Sequence, residues 1–86
     1  MPKYIVERSL PAASMEEMQE LAQRAKQLCA EMEITWIRSY ISPEERTSYC
    51  EYEASNAEAI YEHGRRAGIP VDRVVPVIEI TPSMIG

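Results

Sequence analysis

The chain has 86 residues, 14 acidic against 9 basic, for a formal net charge of −5 and a pI near 4.8. That balance argues against nucleic acid or an anionic membrane surface as a partner, since both call for a basic footprint. A domain this small buries only about 60–65% of the surface its unfolded form exposes. Two cysteines are too few for a disulfide framework, so a homodimer is the expected way to bury more apolar surface.

The N-terminal stretch MPKYIVERSL has a glutamate inside its short apolar run and does not read as a signal peptide. No segment approaches the roughly 20 apolar residues of a membrane span. The expected compartment is the cytoplasm, with both thiols reduced. Within the stretch, KYIVERS has the β-branched and aromatic content of a first strand. Ser14 and Glu17 then form an S-x-x-E capping box at the start of a helix. Met15, Met18, Leu21, Ala22, Ala25, Leu28, Cys29 and Met32 follow helical spacing along one face, while Glu16, Glu17, Glu20, Lys26 and Glu31 take the other. The stripe reads as core, with Cys29 and the methionines as packing groups.

ITWIRSYIS is a second strand, PEER a turn and TSYCEYEA a third strand, close enough to pair as a hairpin. Ser55 and Glu58 make a second capping box, which predicts a helix from about Asn56 to Ala67. Gly68 stops it and Pro70 lies just beyond. DRVVPVIEIT is the last strand. Pro76 within it lacks a ladder donor, which predicts a sheet edge or a bulge. The order β-α-β-β-α-β over residues 1–86 is that of an α+β, ferredoxin-like domain, with a four-stranded antiparallel sheet and two helices on one face. The other face is left bare, and its apolar content calls for a covering partner.

Alternation along strands places Trp36, Arg38 and Tyr40 on one face of the second strand, and Cys50 and Tyr52 together on one face of the third. A tight turn puts Trp36 across from Tyr52 and Arg38 across from Cys50. Trp36, Arg38, Tyr40 and Tyr52 then form a candidate pocket wall for a small-molecule ligand. A one-residue slip would exchange the faces, and the sequence leaves open which face looks at the helices. On the second helix Ile60, His63 and Ala67 share a stripe that points His63 toward the sheet. Gly64 beside it fits a close helix–sheet approach or a pocket that needs room.

Several of these pieces together resemble a family of small bacterial nickel-binding proteins, long catalogued as a domain of unknown function. They are ER near the start, W-x-x-S-Y (Trp36, Ser39, Tyr40), Y-C-x-Y-x-A (Tyr49, Cys50, Tyr52, Ala54) and E-H-x-R-x-A-G-x-P (Glu62, His63, Arg65, Ala67, Gly68, Pro70). The resemblance covers nearly the whole chain. It implies a ferredoxin-like fold pairing as a dimeric α/β barrel, and it favours nickel among the transition metals. The chain departs from the family pattern at Glu51, where an aliphatic residue is expected, at Gly64, where alanine is expected, and in the PEER turn.

Thiolate and imidazole suit nickel, zinc or copper, so Cys50 and His63 are the candidate metal ligands. Glu53, Tyr40, water or a partner subunit would complete the set. The chain has no C-x-x-C or H-x-x-x-H spacing, and both residues also read as ordinary core groups, Cys50 as a small buried hydrophobe. Arg65 and Arg66 sit where cations suit a helix C-terminus. Two functions follow. The first is a metal-binding, nickel-binding homodimer. The alternative is a cofactor-free enzyme of the monooxygenase-like dimeric barrel type, with His63 as acid or base and Tyr40, Tyr52 and Arg38 orienting a substrate; that analogy rests on fold alone.

Overall fold

A computed structural model describes residues 1–86. The elements run β1 (Lys3–Ser9), α1 (Met15–Glu31), β2 (Thr35–Ser42), β3 (Thr47–Glu53), α2 (Ala57–Ala67) and β4 (Arg73–Val77), followed by a short 3-10 turn at Pro82–Met84. The sheet order is β2-β3-β1-β4 with every neighbouring pair antiparallel, the ferredoxin-like arrangement. β4 lies at an edge, where the missing N–H of Pro76 can face away from the ladder.

Both helix starts are capped by side chains. The Ser14 hydroxyl accepts from the Glu17 amide and the Glu17 carboxylate accepts from the Ser14 amide, the reciprocal pair expected from S-x-x-E. At α2 the expected Ser55–Glu58 box is not the cap. Asn56 is the N-cap, its side-chain oxygen accepting from Ala59 N at 2.9 Å. Both residues can cap, and the backbone places Asn56, not Ser55, in the extended conformation just before the first helical turn. Gly68 ends α2 in the left-handed conformation, φ 73°. Arg24 of α1 also donates to the Ala67 carbonyl there, so one helix covers an orphan acceptor of the other.

The core lies between the helices and one face of the sheet. Tyr4, Val6 and Arg8 of β1 and Ser48, Cys50 and Tyr52 of β3 are buried in strict alternation. Ile34, Ala54, Ile60 and Cys29 close over them. Full burial of an aliphatic or aromatic side chain contributes about 1.5–3 kcal/mol, and Val6, Tyr52 and Ile60 are among the most deeply buried. The expectation for α1 fails in its first half. Only Ala25 and Cys29 of the helix are buried, and Met15 is 79% exposed. The sheet opposite that half carries the short side chains Ser39, Ser48 and Cys50, which leave the apolar stripe nothing to pack against and open a cavity there.

β2 carries a bulge between Trp36 and Arg38. Trp36 pairs with Tyr52 as expected, but Arg38 pairs with Glu51 and Ser39 with Cys50. The extra residue reverses the alternation beyond it. Ser39 therefore shares the helix-side face with Trp36, and Arg38 and Tyr40 go to the open face. Bonding confirms the faces: Trp36 Nε1 donates to Ser39 Oγ at 2.8 Å, whereas Arg38 Nε lies 3.5 Å from Glu51 and Tyr40 is 62% exposed.

Candidate functional site

The face of Cys50, undecided by sequence, is the helix side. It is buried, with Ser48 Oγ 3.8 Å from its sulfur. His63 enters the same core from α2 and is 1% exposed. Its polar neighbours are on α1. Nε2 lies 2.9 Å from the Ala25 carbonyl and 3.3 Å from Cys29 Sγ, and the ring packs against Tyr52 at a centroid distance of 5.9 Å. A carbonyl only accepts, so Nε2 carries the proton in this arrangement. Sequence reasoning matched His63 with Cys50. The structure joins it to Cys29, the cysteine read as packing.

Neither member of the Cys29–His63 contact is ionised at neutral pH. Burial pushes the Cys29 thiol up to about 11, against an opposing pull from Arg8. Burial likewise lowers His63 below its ordinary 6.5, with the Ala25 carbonyl acting the other way and the Arg8 charge adding to the lowering. A thiolate is the form that attacks or ligates, so this pair is a neutral packed contact and not a primed nucleophile.

The candidate metal ligands do not converge. Cys50 and His63 are on the helix side, while Glu53 alternates with Tyr52 and belongs to the open face. No group of three or more His, Cys, Asp or Glu side chains in the chain could hold a metal ion. Within one protomer the fit to nickel fails, because the only imidazole has its Nε2 proton committed to Ala25 and no third donor stands with it and Cys29.

The candidate pocket wall is also redistributed. A cavity of about 400 Å³ lies between the first half of α1 and the sheet, and Trp36 and Tyr52 line it. Arg38 and Tyr40 do not, because the bulge turned them to the open face. His63 is not in the lining either, which removes the acid or base of the enzyme reading from the cavity it was to serve. In their place the wall contains Ser39 and Arg8. Regular alternation puts Ser39 on the face opposite Trp36. The W-x-x-S spacing could have flagged it, since two residues three apart share a strand face only across a bulge. Arg8 was legible as a cation in phase with Tyr4 and Val6 on β1.

Arg8 is the unusual group. It is 5% exposed, donates from Nη1 to the Pro70 carbonyl at 2.9 Å and from Nη2 to the Tyr52 hydroxyl at 3.2 Å, and sits 5.7 Å from the Tyr52 ring centroid. Its Nε is buried without a partner, and none of the chain's ion pairs includes it. Burial raises the Tyr52 phenol above its ordinary 10, the Arg8 charge opposing that rise. Arg65 and Arg66, by contrast, pair with Glu62 on the exposed end of α2.

Comparison with solved structures gives a fold match to the crystal structure of SCO4226 from Streptomyces coelicolor A3(2). The TM-score is 0.77 at 19% identity, covering 92% of this chain and 99% of that one. A heavy metal binding protein of Thermotoga maritima, TM0320, aligns over 87% of this chain and 98% of its own with a TM-score of 0.47 and 14% identity. No characterised protein matches by sequence search. The family described as nickel responsive protein SCO4226-like matches residues 4–77, from within β1 to the last residue of β4. With that span and this fold, the chain belongs to the SCO4226-like family of nickel responsive proteins.

Proposed function

We propose that this protein is a nickel-binding homodimer whose metal is held by groups from both copies. The match to a nickel responsive family over residues 4–77 carries the metal. The shared site follows from the failure of any one-protomer ligand set. His63, Cys29 and Cys50 are buried and cannot reach a second copy, so the donors available to a shared site are on the open face. There Glu7 is paired with Arg73, and Glu51 and Glu79 with Lys3. Glu53 has no ion-pair partner, and it is the carboxylate we assign as ligand, with water and the second copy's groups completing the shell.

Isothermal titration of nickel into the untagged protein tests this. The expected result is saturable uptake that Glu53→Gln abolishes and that folded His63→Gln retains. Absence of nickel heat from the wild type overturns the metal. Loss of uptake in a folded His63 variant overturns the shared open-face site.

A further inference from the structure

The cavity beneath α1 combines two properties that seldom occur together without a ligand. Its wall is mostly hydrophobic, with Met18, Leu21, Trp36 and Tyr52 among the lining side chains, and its volume of about 400 Å³ falls at the lower end of the about 300–1,000 Å³ of small-molecule sites. Arg8 forms part of that wall. A buried guanidinium is stable when carboxylate or phosphate oxygens complete its hydrogen bonds; left with neutral acceptors alone it bears a large desolvation cost. Here it has a carbonyl, a phenol and an aromatic face, with Nε unpartnered and no acidic side chain in ion-pair range.

The surroundings keep this cation in place. The Pro70 carbonyl and the Tyr52 hydroxyl hold it from two sides. Gly64 of α2 lies alongside, with a Cβ built there 3.5 Å from Arg8 Nη1, an ordinary contact distance. Apolar side chains of α1 face the cavity unpacked, the arrangement that an apolar ligand body would fill. We propose that this cavity binds a small apolar carboxylate, such as a medium-chain or aromatic acid, with Arg8 pairing the carboxylate and the α1 stripe and Trp36 covering the hydrocarbon. The site is separate from the open face and does not depend on the metal reading.

Trp36 is the chain's only tryptophan and lines the cavity, so its emission reports occupancy directly. The experiment titrates metal-free protein with decanoate and with decanol, both below their aggregation limits. The charged ligand is expected to give a saturable change in Trp36 emission and to bind roughly tenfold or more tightly than the alcohol, the scale of a charge-assisted contact. In Arg8→Met, checked for folding by circular dichroism, the two ligands should bind alike. Equal affinity of decanoate and decanol for the wild type overturns the proposal, as does the absence of any Trp36 response, or a folded Arg8→Met that keeps the preference for decanoate. Should Arg8→Met not fold, the wild-type comparison decides the matter alone.

Discussion

At the scale of single residues, Gly64 and His63 show how burial decides chemistry. A methyl at Gly64 would overlap Val71 Cγ2 and approach the Ile69 carbonyl at 3.3 Å. Overpacking of this kind costs about 1–3 kcal/mol, against a helix-propensity gain of about 1 kcal/mol for alanine. Gly64→Ala should therefore lower the unfolding free energy by about 1 kcal/mol or more, read from the urea midpoint. The residue marks a close approach of α2 to the loop that follows it, not the helix–sheet approach or the pocket that the sequence suggested. His63 makes a pH prediction. Its folded pKa is depressed by burial from 6.5, so between 6.5 and the folded value the unfolded chain binds the proton and the native one does not. Stability is full above about 6.5 and is lost as pH falls toward the folded pKa. The urea midpoint should drop through that window, and His63→Gln should flatten the drop. A wild-type midpoint independent of pH from about 7 to 5 would contradict the assignment.

At the scale of elements, the capping box of α1 and the bulge of β2 contrast in how far local sequence reaches. Ser14-x-x-Glu17 is a local motif and forms as read. Ser14→Ala should destabilise the protein by about 1 kcal/mol, measured by denaturant unfolding. The value should be smaller if the first half of α1, poor in tertiary contacts, frays independently. The bulge is another matter. TWIRSY sets Trp36 and Ile37 side by side, and nothing in its propensities marks Ile37 as the unpaired residue. The shift follows from fitting Trp36 opposite Tyr52 while Ser39, not Arg38, meets Cys50. Arg38 at that position would have put a second cation beside Arg8. A single inserted residue thus moved Arg38 and Tyr40 out of the candidate pocket and brought Ser39 in. At α2 the competing caps Ser55 and Asn56 are chemically equivalent to a sequence reader, and the exit of the chain from β3 chose between them.

At the scale of the whole molecule, the open sheet face and the segment after β4 dominate. Ile78 is 85% exposed, and Ile80, Met84 and Ile85 are exposed as well, in a chain whose long axis is 46 Å against a short axis of 18 Å. Four large apolar side chains exposed within one short segment are what an interaction surface presents. The homodimer proposed above would cover it. Sedimentation velocity should find the wild type at twice the 9.8 kDa chain mass, and Ile78→Glu combined with Ile80→Glu should shift it to the monomer. A monomeric wild type at micromolar concentration would remove the shared metal site along with the dimer.

The sequence by itself determined the element order, the antiparallel ferredoxin-like sheet, the cap of α1 and the glycine stop of α2, and it narrowed the proline-bearing strand to a sheet edge or a bulge. These are legible because each depends on neighbours within a few residues or on a periodicity of 2 or 3.6. The family was legible for the same reason, in motifs at fixed short spacing. The tertiary structure alone decided which sheet face carries Cys50, that His63 meets Cys29 instead, that Glu53 is on the opposite side from both, and that Arg8 is buried beside a cavity without a counter-ion. Those facts depend on registers between strands and on the angle at which α1 crosses the sheet. Both are set by the summed packing of residues far apart in the chain, and no local pattern encodes such a sum.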